Sequence, residues 1–284
     1  MPKTIGNPLS WTVGALGSAA GYATVVAARA TADPDARPET RILMLQDLSH
    51  ALRKGWEDLA AMRSDVMFAC LLYPLMGAVL LGLATQGNLV HLLFPVLSGF
   101  ALVGPVAALG LYELSRRREA GLPVSWGTMF DVLRSPRFPR IVMLSLFNGV
   151  FFMVWLLLAD AIHAATLGSE RPAGLMALLT EAVTTPAGWA MVVVGTGVGF
   201  LLAAAVLAVS VISFPLLLDR DVSLPVAVLT SVQVARENAV VIAGWGVTVA
   251  TLLVVGIVPV LLGLVVVLPL LGHATWHLYR AAVV

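Results

Sequence analysis

Charge is scarce in this chain. Asp, Glu, Lys and Arg together make up 12% of its 284 residues, about half the share of an ordinary globular domain. Cysteine is nearly absent: the single Cys70 lies inside an apolar run. An intramolecular disulfide and a four-thiolate zinc or iron–sulfur site on this chain alone are therefore excluded. Walker loop, HExxH, GxSxG and nucleotide-fingerprint patterns are all missing. There is no strong charge of either sign, the formal net charge being +1. The basic residues border apolar runs instead of forming a groove, so nucleic acid is not an expected partner.

What the chain does have is apolar length. Residues of the AVILMFWYC set reach 59%, and the mean hydropathy is +0.94. Six runs are long enough to cross a bilayer, at 65–85, 89–112, 141–165, 188–214, 239–255 and 257–279. Six spans of about 20 residues leave no room for a large domain outside the membrane. The last two come from one unbroken apolar stretch, with Gly256 and Pro259 as the expected turn. Of the 17 Lys and Arg, only Arg171 falls on the outer side of this arrangement. Cytoplasmic loops hold the cations of membrane proteins, so both chain ends are expected in the cytoplasm of a bacterium, with the spans in its inner membrane. Residues 11–30 are apolar but rich in Gly and Ala, with only Lys3 ahead of them. They are expected to form an uncleaved arm rather than a signal peptide.

An internal repeat underlies the spans. Leu122-Pro123-Val124-Ser125-Trp126 recurs as Leu224-Pro225-Val226-Ala227-Val228, and at the same offset Thr128, Val132 and Arg134 match Thr230, Val234 and Arg236. Leu45, Leu48, Leu52, Trp56 and Leu59 recur at helical spacing, with Arg53, Lys54, Glu57 and Asp58 between them. That pattern predicts an amphipathic helix in the membrane interface, anchored by Trp56. The expected fold is all-α: a polytopic membrane protein with six transmembrane helices as three hairpins, each preceded by a short amphipathic interfacial helix. Residues 1–40 form an N-terminal arm and 41–284 the membrane domain, divided into repeats at 41–118, 119–219 and 220–284.

Few residues carry chemistry. Asp160 and His163 share one helical face at the outer end of the third span, and His91 begins the second span at the same end. Two imidazoles and a carboxylate suit zinc or copper, or a proton relay. His273 and His277, four apart, form a second candidate metal pair, although Trp276, Tyr279 and Arg280 beside them equally describe a helix leaving the membrane through an aromatic belt. Asp219, Arg220 and Asp221 can clamp to Arg280 or to the Arg116, Arg117 and Arg118 cluster. That arginine cluster is also a candidate contact for lipid headgroups or a partner. No catalytic residue, metal or cofactor is assigned. Leu175, Met176, Leu178 and Leu179 predict a short surface helix in the outer segment 168–188. Prolines within the spans imply kinks whose freed carbonyls neighbouring helices re-satisfy.

Three segments, TIGNPLSW at the start, SFPLLLDRDVSL, and GHATWHLYR near the end, resemble an uncharacterised bacterial domain-of-unknown-function family of predicted integral membrane proteins. Some of its members carry the label of putative cytochrome c oxidase subunits. The resemblance implies an inner-membrane protein without an assigned activity. With five histidines and none at mid-membrane, the chain is not a haem–copper catalytic subunit. The leading expectation is a non-enzymatic accessory, scaffold or assembly factor, with the bilayer and a membrane-protein partner or a second copy as its contacts. Alternatives are a small transporter or channel, or an accessory oxidase subunit with a His-based metal or haem site.

Overall fold

The computed structural model describes residues 36–61, 75, 82, 90–168, 170, 172–259 and 261–284, with only the backbone for Phe100, Ala101, Val103 and Trp126. The expected first span and the arm up to residue 35 lie outside this set, apart from Leu75 and Gly82. So do Arg171 and the sole cysteine.

Among the described residues the fold is helical. The helices are α1 (Leu45–Ala61), α2 (Leu93–Ala107), α3 (Leu109–Glu119), α4 (Phe138–Thr166), α5 (Leu175–Thr184), α6 (Pro186–Ser210), α7 (Ser213–Asp219), α8 (Leu224–Glu237), α9 (Ala239–Ile257) and α10 (Leu264–Ala282). Short 3₁₀ turns cover Val90–Leu92 and Trp126–Arg134. One isolated antiparallel bridge, Thr40 with Val283, ties the segment before α1 to the end of α10. It is reinforced by the Arg41 N–H donating to the Ala282 carbonyl at 2.9 Å.

Among the described residues, three helical stretches are long and apolar enough to cross a membrane: Phe138–Thr166, Pro186–Asp219 and Ala239–Ile257. Two further expected spans take another form. The run at 89–112 becomes α2 and α3, which meet in a bend at Ala108, three residues past Pro105. Leu111 to Ser115 of α3 are all buried, Glu113 included, so protein rather than lipid covers that end. The helix in the run at 257–279 starts late, because the chain turns at Val258 and Pro259 and again from a left-handed Leu261 (φ 67°) to Gly263. At this turn a Cβ on Gly263 would lie 2.8 Å from the Gly256 Cα, so the two glycines let the chain double back closely. The second half of α10 is buried nearly all round, from Leu271 to Leu278 and Tyr279 apart from a partly exposed His277. Its low apolar content is tolerated because α1 and α3 enclose it.

The helix expected to lie in the interface, α1, packs directly on α10. Its buried face is Leu48, Ala51, Gly55, Asp58 and Leu59, while Leu45 and Trp56 are exposed. The expected stripe of large side chains is thus rotated towards Ala51 and Gly55. Small residues win this face because they allow backbone-to-backbone approach, with Gly55 against Ala274.

The long stretch Pro186–Asp219 is broken at Val211 and Ile212, between α6 and α7. Pro215 lacks the N–H that would bond four residues back. Ser231 of α8 repairs the break: its hydroxyl donates to the Ala208 carbonyl at 2.7 Å and accepts from the Ile212 N–H at 3.2 Å. Ser231→Ala leaves that buried N–H without an acceptor, and a loss of about 1–3 kcal/mol is expected. Unfolding of the purified variant in detergent, compared with the natural chain, measures it.

Helices α2, α4 and α6 meet deeper in the bundle. Asn148 donates to the Ser210 hydroxyl at 3.0 Å and to the Leu102 carbonyl at 3.3 Å. Towards the other end, the Trp155 indole donates to the Pro95 carbonyl at 2.9 Å. Gly199 of α6 approaches the Trp155 ring closely enough that a Cβ would stand 3.1 Å from it. The expected surface helix at 168–188 is present as α5, with Met176 and Val183 exposed. The two copies of the internal repeat differ locally, one being the 3₁₀ turn Trp126–Arg134 and the other the α-helix α8.

Candidate functional site

Two polar clusters stand at opposite ends of the bundle. From Arg140 to His163 along α4 is about 34 Å at the α-helical rise, close to the thickness of a bilayer's hydrocarbon core.

The larger cluster centres on Asp58 of α1, whose side chain is only 7% exposed. Three elements converge on its carboxylate. Arg118 of α3 donates to Oδ1 at 2.5 Å, and Ser115 of α3 donates to Oδ2 at 2.6 Å. His277 Nε2 of α10 lies 2.8 Å from the same Oδ2. A carboxylate only accepts, so the single Ser115 proton faces Asp58, and Ser115 accepts in turn from His273 Nδ1 at 2.8 Å. This fixes the tautomer of His273, whose Nε2 is buried without a hydrogen-bond partner. Burial works to raise the Asp58 carboxyl, but the hydrogen bonds from His277 and Ser115 and the nearby imidazoles outweigh it. The carboxyl sits below its ordinary value of 3.8.

His273 Nδ1 and His277 Nε2 are thus taken up by Ser115 and Asp58. They flank Ser115 and Asp58 in a chain of hydrogen bonds that joins α1, α3 and α10. An open cleft of about 950 Å³ borders this chain, with His50, Lys54, Arg118, Glu119 and Arg280 among its walls.

Neighbouring charges continue the same layer. Glu119 accepts from the Trp276 indole and from Arg280, both at 3.0 Å. Asp219 accepts from the Tyr279 hydroxyl at 2.8 Å and lies 3.6 Å from Arg280. Burial works against the Arg280 charge, but Glu119 and Asp219 outweigh it and hold the guanidinium above its ordinary value. The expected clamp between Asp219 and Arg280 is thus formed, and Arg220 donates to the Val284 carbonyl at 2.7 Å. Asp221 turns instead to Arg140 at 2.5 Å. The arginine cluster holds other carboxylates. Arg116 holds Glu113 through two bonds of 2.8 Å, Arg117 bridges Glu113 and Asp131, and Arg118 takes Asp58. Each arginine offered as a headgroup contact is matched by a carboxylate.

At the opposite end, the topology brings His91 to Asp160 and His163. His91 Nε2 lies 2.9 Å from Asp160 Oδ1, and the two imidazole centres are 4.9 Å apart. Among the described residues no set of three His, Cys, Asp or Glu side chains is placed to hold a metal ion.

Asp58 and Ser115 are the site residues that pattern reading missed. Asp58 counts as a solvated position on the stripe of large apolar residues. On the edge defined by Ala51 and Gly55 it falls inward, at three residues from the glycine. Ser115 gives no such signal, because it precedes three arginines and reads as a helix end in water.

Residues 93–219 match the family model described as "Predicted integral membrane protein (DUF2189)". That segment runs from the start of α2 to the end of α7, and so stops short of GHATWHLYR. No curated protein and no solved structure matches the chain.

Proposed function

We propose that this protein is a multi-pass component of the bacterial inner membrane that acts by helix packing, as a non-enzymatic accessory, scaffold or assembly factor for another membrane protein. Six spans in three hairpins, with both ends in the cytoplasm, accommodate the charge pattern. The layer around Asp58, Glu119 and Asp219 then lies on the cytoplasmic side, and the His91 cluster on the outer side. The observation that carries this reading is what the ionisable groups of that layer do. Asp58, Glu113, Glu119 and Asp219 each bind side chains of this chain, which suits a rigid frame better than a reacting centre.

The lipid-facing surface supports the same reading. Gly195 and Gly197 of α6 and Gly149 of α4 have open space where a Cβ would stand. Exposed Val193 and Leu201 flank the first pair. Small residues of this kind allow the backbone of a foreign helix to approach closely.

Two measurements test the proposal. Arg134, with a side chain 87% exposed, replaced by cysteine in a Cys70→Ala background, is expected to react in intact cells only with a membrane-permeant thiol reagent. Labelling by an impermeant reagent overturns the topology. Purification of the tagged chain in mild detergent is expected to recover a second membrane protein in fixed ratio, and a lone monomer overturns the scaffold role.

A further inference from the structure

The outer cluster holds a lone pair without a use. His91 is carried on the 3₁₀ turn Val90–Leu92, and its side chain is 4% exposed. Its Nε2 is engaged by Asp160, and a carboxylate only accepts, so Nε2 carries the proton. Nδ1 is then a bare acceptor, buried and without a hydrogen-bond partner. A buried polar atom with no partner calls for an explanation.

Its surroundings supply one. His163 of α4 is itself buried, and its ring centre lies 4.9 Å from that of His91. A metal ion bonds an imidazole nitrogen at about 2.0–2.1 Å, which puts it about 3.2 Å from the ring centre. Two rings with centres 4.9 Å apart then subtend about 100° at a shared ion, near the tetrahedral angle preferred by zinc. A carboxylate on the far nitrogen of a metal-binding imidazole is the usual outer support, because it fixes the tautomer and raises the basicity of the ligand. Asp160 holds that place. The charge around the pair favours a cation: Asp160 is beside it, Glu181 of α5 acts electrostatically on His163, and α5 packs against the 3₁₀ turn. One to two turns deeper, the Trp155 bond to Pro95 fixes the register of α4 against the start of α2, so the two imidazoles do not depend on a loose loop for their spacing.

We propose that His91 Nδ1 and His163 form a binding site for a divalent transition-metal ion of the zinc and copper kind, open to the outer side of the membrane. Asp160 is its positioning residue. No third side chain among the described residues completes a ligand set, so water occupies the remaining positions, entering beside the exposed Asp160. In the other histidine pair, His273 Nδ1 and His277 Nε2 are already engaged by Ser115 and Asp58.

The test uses the full chain in detergent with a histidine-free affinity tag, titrated calorimetrically with Zn²⁺ alone. One equivalent is expected to bind at micromolar concentration. His91→Ala and His163→Ala are each expected to weaken binding at least tenfold, and Asp160→Asn about tenfold, the lower end of what outer-support losses produce. His50→Ala, which changes an exposed histidine of α1, leaves the titration unchanged. X-ray absorption on the zinc-loaded natural chain is expected to count two imidazoles and lighter oxygen ligands, a readout that does not depend on any variant folding. Absence of saturable binding, binding retained in His91→Ala, or a spectrum without two imidazoles overturns the proposal.

Discussion

Asp58→Ala is expected to lower the stability of the folded chain by about 2–3 kcal/mol. Removing one member of a buried ion pair costs about 3–5 kcal/mol, because the remaining partner is left charged and unpaired. The lower figure applies here, since the Arg118 side chain is 39% exposed and water screens part of its loss. Ser115 and His273 lose more, as both are buried and the alanine leaves the Ser115 hydroxyl to choose between a cavity and His273. The pH dependence has a definite sign. The Asp58 carboxyl is held below its ordinary value, so the folded state favours the ionised form. Its contribution is fully present above the unfolded value near 3.8 and is lost as pH falls through the lower folded value. Across neutral pH the gap between the natural chain and Asp58→Ala is therefore constant, and it closes only in acid. Unfolding in detergent at a series of pH values measures both the gap and its closure.

How much of this was legible in the sequence depends on what surrounds each helix. The apolar runs expected at 141–165, 188–214 and 239–255 correspond to the three long stretches Phe138–Thr166, Pro186–Asp219 and Ala239–Ile257, because uniform apolar composition is what lipid contact demands. The proximity of His91 to Asp160 was also readable, because apolar runs that place both residues at one end leave little else for them to meet. The far end was not. Hydropathy cannot distinguish a polar residue in water from one sealed by its own chain, and Glu113, Ser115 and His273 belong to the second kind. The same blindness misplaced the boundary of α10. Its GHATWHLYR segment reads as a helix emerging through an aromatic belt, whereas Trp276 and Tyr279 are buried and bonded to Glu119 and Asp219. The inner face of α1 was misread because apolar size was counted where close approach decided the packing.

That packing makes Gly55→Val the other change of large effect. A Cβ at Gly55 would stand 2.7 Å from the Ala274 backbone nitrogen and 2.9 Å from its Cα and Cβ, distances that backbone atoms cannot relieve by rotation. Helices α1 and α10 must separate, and overpacking of this kind typically costs about 1–3 kcal/mol. The upper end is expected, because separation also stretches the bonds from Asp58, one turn along α1, to Ser115 and His277. Ala274→Gly in the same chain removes only one of the three close atoms, so its rescue is partial. The decisive measurement is a double-mutant cycle in detergent unfolding. If the glycine is what seats Asp58, the cost of Asp58→Ala shrinks once Gly55→Val is present, and the two losses sum to less than their separate values. Full additivity would mean that the carboxylate finds Arg118 and His277 whatever the distance between the helices.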